Sequence, residues 1–229
     1  MKIIVSGGTR GIGKEVVLNL AGDKNNQILV IGRNENALNN FSSDFNNIQT
    51  VSFDLATVDK QADLMRDSIT QHLKRVDILI NMAGLLINKK FIDLSADETR
   101  SMMETNFFGP ASLIRIVKPF MIKGSHIINI SSMGGFQGSS KYTGLSVYSA
   151  SKAALACLTE CLAEEFRESG ISVNCLALGA VQTEMFAEAF PGFKAPVEAK
   201  EMAEFISGFA LNGNKFFNGK IIPVAVNNP

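Results

Sequence analysis

The sequence alternates short apolar runs with segments of helical periodicity along almost its whole length, and this alternation limits the folds available to it. The apolar runs are rich in β-branched residues and span residues 2–5, 27–31, 48–53, 76–80, 126–130, 171–176 and 220–224. The helical segments span residues 14–21, 34–43, 58–73, 96–122, 148–168 and 196–210. Such an alternation predicts an α/β fold, a doubly wound parallel sheet of seven strands with helices on both faces. The strands are continuously apolar, as is typical of a sheet covered on both sides.

A chain of 229 residues without a linker or an internal repeat is expected to form one domain, which we place at residues 1–229. The formal net charge is zero and no basic block occurs, so neither nucleic acid nor an anionic membrane is an expected partner. No apolar stretch approaches the ~20 residues that a membrane helix needs, and the start, MKIIVSGGTRGIG, does not resemble a signal peptide. We therefore expect a cytoplasmic protein with a small-molecule partner.

Cysteine and histidine are too few and too dispersed for a metal site or a histidine-based catalytic triad. Cys157 and Cys161 lie four residues apart in a predicted helix, and Cys175 lies in a predicted strand. The two histidines, His72 and His126, have no cysteine or histidine ligand pair beside them. We expect no metal, and we expect the cysteines to be buried free thiols in a reducing compartment.

A glycine-rich segment, SGGTRGIG at residues 6–13, follows the first predicted strand and leads directly into a helix. Gly7, Gly11 and Gly13 give the spacing G-x-x-x-G-x-G, which differs from the G-x-G-x-x-G dinucleotide fingerprint. Gly11 and Gly13 let the backbone turn tightly and let a pyrophosphate approach the N-terminus of the helix. Between a first strand and a first helix, such a loop predicts a dinucleotide site.

A second pattern, VYSASKAAL at residues 147–155, places Tyr148 four residues before Lys152. In a helix, residues i and i+4 lie on one face, so the lysine ammonium is expected close to the phenol oxygen. A cation there favours the phenolate, and a phenol pKa lowered by ~3 makes tyrosine a usable acid and base near neutral pH. Taken alone, the pair favours a surface tyrosine beside a solvated lysine, so the choice depends on the rest of the chain.

Six short motifs occur in order: SGGTRGIG after the first strand, FDLAT after the third, NMAG at 81–84 after the fourth, TNFFG at 105–109, NISSMGG after the fifth and YSASK at 148–152. They span nearly the whole chain, and as an ordered set they resemble the short-chain dehydrogenase/reductase family. The resemblance implies a Rossmann fold and hydride transfer between a nicotinamide cofactor and a carbonyl or alcohol carbon. It also implies a homodimer or homotetramer, paired through helices that match 95–122 and 148–168.

The resemblance assigns roles to a catalytic set. Tyr148 is the general acid/base, and Lys152 lowers its pKa and holds the nicotinamide ribose. Ser132 hydrogen-bonds the substrate oxygen, an oxyanion-stabilising role. Asn106 holds a water that links Lys152 to bulk solvent. Ser131 and Ser132 are adjacent, and the sequence does not choose cleanly between them, although the second serine matches the motif better.

The residues at the end of the second strand indicate NADP(H). In dinucleotide-binding folds an acidic residue there binds the ribose 2′-hydroxyl, whereas a nearby arginine accommodates a 2′-phosphate. Here the position holds Gly32, Arg33 follows it, and Arg10 in the glycine loop is expected to reach the same phosphate. The alternative is that Arg33 is a solvated loop residue and Glu35 binds the ribose.

The other cofactor contacts follow from the glycine loop and from positions matched to the family. Thr9 and Asn34 are expected to add hydrogen bonds near the phosphate, Asn81 to support the loop, and Thr183 to hold the nicotinamide carboxamide. The complete expected set is Gly7, Thr9, Arg10, Gly11, Ile12, Gly13, Arg33, Asn34, Asp54, Leu55, Asn81, Ala83, Gly84, Tyr148, Lys152, Gly179, Val181 and Thr183.

The segment expected to close over the substrate departs from the family pattern. Gly179 lacks the preceding proline that is usual in the family, and the lid, about residues 179–196, is short, which suggests an open pocket. Phe186, Phe190 and Phe193 are expected either to form its apolar wall or, equally, to serve a core or interface role.

Two classes of function are compatible with these residues. The first is an NADP(H)-dependent carbonyl reductase or alcohol dehydrogenase, with a 3-oxoacyl reductase as one version. The second is a sensor that binds NADP(H) without turnover. The complete catalytic set favours the enzyme, because sensing does not need a proton relay.

Overall fold

The computed structural model describes residues 1–226, except the side chain of Asp59. The last three residues of the predicted domain, 227–229, lie outside the described residues. The strands are β1 (Lys2–Ser6), β2 (Gln27–Gly32), β3 (Ile48–Ser52), β4 (Val76–Asn81), β5 (Met121–Ser132), β6 (Ser172–Leu178), β7 (Val181–Gln182), β8 (Val197–Glu198) and β9 (Ile221–Val224). The α-helices are α1 (Gly11–Ala21), α2 (Glu35–Asp44), α3 (Ala62–His72), α4 (Ala96–Met103), α5 (Gly109–Val117), α6 (Ser146–Glu165), α7 (Glu184–Ala189) and α8 (Ala199–Asn212).

The main sheet confirms the predicted doubly wound fold. Within residues 1–226 it has seven parallel strands in the order β3-β2-β1-β4-β5-β6-β9. The strand order reverses at β1 and β4, so the loops after these two strands diverge and leave a crevice at the carboxyl edge of the sheet. Two further strands, β7 and β8, pair with each other and were not predicted, because each is only two residues long.

Apolar side chains cover both faces of the sheet, as the continuously apolar strands predicted. One layer packs the strands against α1, α2 and α8, and the other packs them against α3, α5 and α6. Along β1, Ile3 and Val5 belong to the first layer and Ile4 to the second, and all three are fully buried. Among the helices of residues 1–226, none is long and apolar enough to cross a membrane.

The segment predicted as a single helix at 96–122 is divided in the structure. α4 passes into a π-helical turn at Glu104–Phe108, and α5 begins only after it. Pro110 has no amide hydrogen to donate to the carbonyl of Asn106, four residues earlier, so regular α-helical pairing is interrupted there. α5 ends at Val117 and a short 3₁₀ turn containing Pro119 follows. Residues 121–122, predicted as helix, belong to β5.

Other helix boundaries also differ from the prediction, and one helix was missed. A 3₁₀ segment at Leu55–Gln61 precedes α3, where one helix from residue 58 was expected. The last helix begins at Ala199 behind a capping box of Glu198 and Glu201, so Pro196 lies before its first turn rather than in it. α7 was not predicted, because six residues are too few for a periodic pattern.

The cysteines are only partly as predicted. Cys175 is buried in β6, but Cys157 and Cys161 are exposed on α6, so the expectation of three buried thiols was wrong for these two. The buried face of α6 includes Leu155 and Thr159. Each exposed cysteine follows one of them by two residues, which is about 200° of helix rotation and places it on the opposite side.

The close packing of the glycine loop predicts a large effect of Gly13→Ala on stability. A Cβ at Gly13 would lie 2.1 Å from the carbonyl oxygen of Gly7, which is backbone and cannot move aside alone. We expect the free energy of unfolding in urea to fall by about 1–3 kcal/mol or more. Gly208→Ala on α8 is the control, because nothing lies within 4 Å of its Cβ position. That change is expected to raise stability by about 0.5–1 kcal/mol. Equal effects of the two substitutions would contradict this account.

Candidate active site

A cleft of about 910 Å³ opens at the carboxyl edge of the sheet, where the strand order reverses. Its lining includes the glycine loop, the ends of β2 and β5, the first turns of α6 and the segment around α7. Of the predicted site residues, only Asn81 and Asn106 do not line it, since both side chains are buried behind the wall. Within residues 1–226, no cluster of three or more histidine, cysteine or acidic side chains is arranged to hold a metal ion.

The glycine loop is shaped for a close backbone approach. Gly7 has a φ of +74°, and a Cβ there would lie 2.6 Å from the Cα of Ala83 in the neighbouring loop. Gly11 also has a positive φ, +52°, at the start of α1. α1 has no side-chain cap and no acidic residue in its first turn, so its N-terminal amides remain open to an anion from the cleft. These features fit the pyrophosphate of a dinucleotide.

The end of β2 has no room for an acidic side chain. A Cβ at Gly32 would lie 2.5 Å from Cγ2 of Thr9, whose side chain fills that space. Arg33 lies 3.9 Å from a carboxylate oxygen of Asp54, and its side chain is 68% exposed. An exposed pair at this distance contributes little, about 0–1 kcal/mol, so the guanidinium is free to exchange partners.

Arg10, in the glycine loop, has a comparable exposed contact. Its guanidinium lies 3.8 Å from a carboxylate oxygen of Glu188 on α7. Asn34, predicted to contact the cofactor, caps α2 by accepting a hydrogen bond from the amide of Ala37 at 3.1 Å. Glu35, the alternative ribose ligand, accepts a hydrogen bond from the Ser52 hydroxyl at 3.3 Å.

Tyr148 lies in the first turn of α6 and hydrogen-bonds the side chain of Ser132 at the end of β5. Burial raises the pKa of the Tyr148 phenol above its ordinary value of 10.0, and the contact with Ser132 lowers it by less. The prediction that Lys152 lowers the phenol pKa below its ordinary value is therefore wrong. Desolvation of the phenolate outweighs the stabilisation that was expected from the neighbouring cation.

Lys152 is buried one helical turn further along α6. Its side chain is 4% exposed, and Nζ donates a hydrogen bond to the carbonyl of Ile130 at 2.9 Å. Burial lowers the pKa of the ammonium from 10.5 to about 8. A Cβ at Gly84 would lie 3.4 Å from Nζ, so the amine faces the loop after β4.

The two adjacent serines have different surroundings. Ser131 is buried, and its hydroxyl donates to the backbone carbonyl of Lys152 at 2.9 Å. Ser132 lies on the cleft, contacts Tyr148, and accepts a hydrogen bond from the amide of Gly134 at 3.1 Å. The geometry therefore favours Ser132 as the serine that meets a ligand, and Ser131 as an anchor for α6.

Asn106 lies in the π-helical turn and is fully buried. Its Oδ1 accepts from the amide of Leu85 at 2.7 Å, and its Nδ2 donates to the Leu85 carbonyl and to the Ser151 hydroxyl, both at 2.9 Å. The side chain thus joins the loop after β4 to α6. The water that this residue was expected to hold remains a prediction, and the amide side chain is already engaged elsewhere.

Sequence reasoning missed a row of polar side chains behind the cleft. Ser6, Asn81, Asn129 and Cys175 are aligned in register on β1, β4, β5 and β6. Nδ2 of Asn81 donates to Oδ1 of Asn129 at 2.8 Å, and Nδ2 of Asn129 donates to the Thr159 hydroxyl on α6 at 2.9 Å. The sequence did contain a signal for this row, because each of these apolar strands has one polar residue at the matching position. Asn81 contributes to this row, and its expected support of the cofactor loop stays a prediction.

Thr183, in the segment predicted to form a lid, also has a structural contact. Its hydroxyl oxygen accepts a hydrogen bond from the amide of Phe186 at 3.1 Å and so caps α7. The hydroxyl proton is not used by that contact, so Thr183 can still donate into the cleft. Gly179 and Val181, also predicted as contacts, line the same side.

Known proteins resemble this chain over most of its length. The family model of the short chain dehydrogenases matches residues 1–192. An uncharacterised oxidoreductase of Staphylococcus epidermidis is 30% identical over 206 residues, which cover 89% of this chain and 87% of that protein.

Solved structures with the same fold include two with a bound nicotinamide cofactor. A short chain dehydrogenase from Burkholderia cenocepacia in complex with NADP has a TM-score of 0.85 and 22% identity, over 97% of this chain and 95% of that one. A 4-hydroxyisoleucine dehydrogenase mutant complexed with NADH and succinate has a TM-score of 0.88 and 23% identity, over 100% of this chain and 98% of that one. At these identities the two structures support the fold alone.

The buried lysine predicts a specific pH dependence of stability. A base whose pKa is lower in the folded than in the unfolded protein binds fewer protons when folded, so stability rises with pH between about 8 and 10.5. We expect the free energy of unfolding to gain about 1 kcal/mol from Lys152 between pH 7.5 and 9. Lys152→Met should remove this gain, whereas Lys200→Met, at an exposed position on α8, should retain it.

Urea unfolding of the three proteins at both pH values measures this contribution. Burial raises the pKa of the Cys175 thiol from 9.0 to about 11, so this thiol opposes the gain as its unfolded form loses a proton around pH 9. Cys175 is present in all three proteins, so its effect cancels when they are compared. If the difference in free energy of unfolding between wild type and Lys152→Met is the same at both pH values, the lowered pKa assigned to Lys152 is contradicted.

Proposed function

The chain belongs to the short-chain dehydrogenase/reductase family, a family of hydride-transferring oxidoreductases, and we propose that it acts with NADP(H) on the carbonyl or alcohol group of a small molecule. The observation that carries this proposal is the meeting of Ser132, Tyr148 and Lys152 on one cleft beside the glycine loop. A carbonyl reductase is the form that we favour, with a 3-oxoacyl reductase as one version.

The proton chemistry of the proposed reaction is assigned to Tyr148. When bound, NADP(H) supplies or accepts the hydride. In the reduction direction, the phenol of Tyr148 gives its proton to the substrate oxygen as the carbonyl carbon gains the hydride, so that C=O becomes CH–OH. Because burial raises the phenol pKa, Tyr148 is protonated at neutral pH and is ready to donate.

Ser132 and Lys152 support that proton transfer in different ways. The Ser132 hydroxyl, in contact with the phenol, holds the substrate oxygen and stabilises the negative charge that develops on it. After the transfer Tyr148 carries a phenolate, and in this proposal the ammonium of Lys152, one helical turn away, offsets part of the desolvation that raises the phenol pKa. Lys152 also holds the nicotinamide ribose, as in the family, and Asn106 fixes the loop and helix that position it.

The choice of NADP(H) over NAD(H) is supported by the end of β2. Thr9 fills the space that a carboxylate at position 32 needs, so no acidic group there binds a ribose 2′-hydroxyl. Arg33 and Arg10, both exposed and only weakly paired, supply the guanidinium groups that a 2′-phosphate requires. Asp54 and Leu55 line the same end of the cleft, beside the adenine in this proposal.

We also propose a cytoplasmic homodimer or homotetramer built from one domain, with residues 179–196 as the substrate lid. Exposed phenylalanines, Phe205, Phe216 and Phe217, support self-association, because contiguous exposed apolar groups favour contact with another surface. The second candidate function is an NADP(H) sensor without turnover. The contact between Ser132 and Tyr148 favours the enzyme, since cofactor binding alone does not require it.

Tyr148→Phe tests the assigned proton donor. We expect kcat for NADPH-dependent carbonyl reduction to fall by about 100-fold or more, while NADPH still binds. The chain has two tyrosines, so Tyr142→Phe at the rim of the cleft is a matched control. Tyr142→Phe also removes one phenol hydroxyl, and its kcat should stay within a few fold of the wild-type value. Retained activity in the Tyr148 variant would contradict the mechanism.

Arg33→Ala tests the cofactor assignment. Loss of a charge-assisted contact to the 2′-phosphate removes about 1.5–3 kcal/mol, so the preference for NADPH over NADH should fall by about 10- to 100-fold. Arg167→Ala removes an equally exposed arginine beyond the C-terminal end of α6 and should leave the preference unchanged. The measurement is kcat/KM with each cofactor, or the Kd of each where turnover is slow. An unchanged ratio in Arg33→Ala would remove the argument for NADP(H).

A further inference from the structure

One part of the cleft, which we name the apolar half, has walls of apolar side chains. Three segments supply these walls: the loop after β4, the loop between β5 and α6, and the lid. Phe193, at the lid end, is 73% exposed although it is aromatic. Large exposed apolar groups that border a cleft indicate contact with an apolar ligand. The other apolar side chains in this half are Leu86, Met133, Leu145, Met185, Phe186 and Phe190.

The lid is held in place over this half, so its phenylalanines form a defined wall. Asn88, in the loop after β4, donates a hydrogen bond from Nδ2 to the carbonyl of Ala189 at 2.8 Å. At the other end, Gln182 accepts a hydrogen bond from a lid amide at 2.9 Å. Phe186 and Phe190 pack against each other with ring centroids 5.1 Å apart.

The ionisable side chains of the cleft lie away from this half. Arg10 and Arg33 stand at the glycine loop and at the end of β2. Glu184 also faces the glycine loop, because its Oε2 is 3.4 Å from the Cβ position of Gly11. Lys152 is buried below the reacting position, with Nζ bound to a backbone carbonyl. Among the described residues that line the cleft, the apolar half therefore holds no lysine or arginine to pair with an anionic substrate. Lys141 and Lys194, on two of the wall segments, are exposed and lie outside the lining.

From this distribution of charge we infer that the substrate is an uncharged ketone or aldehyde carrying an aromatic or branched aliphatic group, an inference that rests on the proposed function. An aromatic group gains contact with the rings of the lid. An ionised carboxylate or phosphate in the same position loses its water without finding a partner, which is strongly unfavourable. Oxo acids and phosphorylated sugars are accordingly poor substrates.

The test uses two probes that share one reacting carbonyl and differ in charge, ethyl benzoylformate and benzoylformate. With saturating NADPH, kcat/KM for the ester is expected to exceed kcat/KM for the acid by about 100-fold or more, because only the acid carries an unpaired charge into the apolar half. Equal values, or a preference for the acid, would overturn the inference while leaving the proposed reductase intact.

A matched pair of lysine variants locates the selectivity. Phe193→Lys introduces an ammonium at the rim of the apolar half, and it should narrow the ester-to-acid ratio by about 10-fold by pairing with the carboxylate. Ile122→Lys introduces the same charge at a half-exposed position near the start of β5, at the opposite edge of the sheet. It should leave the ratio unchanged. If both variants change the ester-to-acid ratio equally, the apolar wall does not determine the preference for the ester.

Binding of the same probes separates the inference from the reaction. Saturation-transfer NMR with the protein loaded with NADP⁺, which cannot reduce the probes, should show contact from the ester and not from the acid, and Phe193→Lys should create contact from the acid. If neither probe is reduced but this binding pattern is found, the inference stands and the proposed reaction on this carbonyl fails. If neither probe is reduced and the ester does not bind, or both bind equally, the inference is overturned.

Discussion

The buried ammonium of Lys152 is the group on which the arrangement of the cleft depends. A charged amine with 4% exposure is tolerated only where polar neighbours replace the water that it has lost. The carbonyl of Ile130 accepts a hydrogen bond from the ammonium, and Ser131 holds the backbone carbonyl of the same lysine. The end of β5 therefore fixes both the amine and this turn of α6. Tyr148, one turn earlier on the helix, is brought against Ser132 by the same contacts.

Polar side chains behind the cleft extend this constraint into the core. Asn81 and Asn129 join β4 to β5, and Thr159 continues the row to α6. Asn106 ties the loop after β4 to α6 through Leu85 and a serine hydroxyl. A buried polar group that loses its partner costs about 1–3 kcal/mol, so these bonds resist displacement of the residues to which we assign the reaction. Ser132, Tyr148 and Lys152 thus stand on regular strands and helices, whereas the apolar wall comes from loops and a short helix.

The strands were predictable because seven β-branched runs lie between segments of helical period, and a parallel sheet is the arrangement that covers both faces of such runs. The helix predicted at 96–122 failed at Pro110 and Pro119, because a pattern of apolar residues does not reveal where a proline forces a π-helical or 3₁₀ turn. Tyr148 and Lys152 were found from the ordered set of family motifs, because their spacing alone favoured a surface pair. The direction in which the phenol pKa shifts could not be found from the sequence, because burial determines that direction and residue spacing carries no information on burial. The separate tasks of Ser131 and Ser132 likewise depend on contacts between distant segments.

The central claim is that this cleft moves a hydride from a nicotinamide cofactor to a carbonyl carbon while Tyr148 supplies the proton. The most direct test incubates the protein with NADPH carrying deuterium at either face of C4 and with an uncharged aryl ketone, and examines the alcohol by mass spectrometry. The account predicts one deuterium on the carbinol carbon from one of the two labelled cofactors, and none on any carbon when the label is in the water. An alcohol that carries its new C–H hydrogen from water, or from both cofactor faces equally, would contradict it.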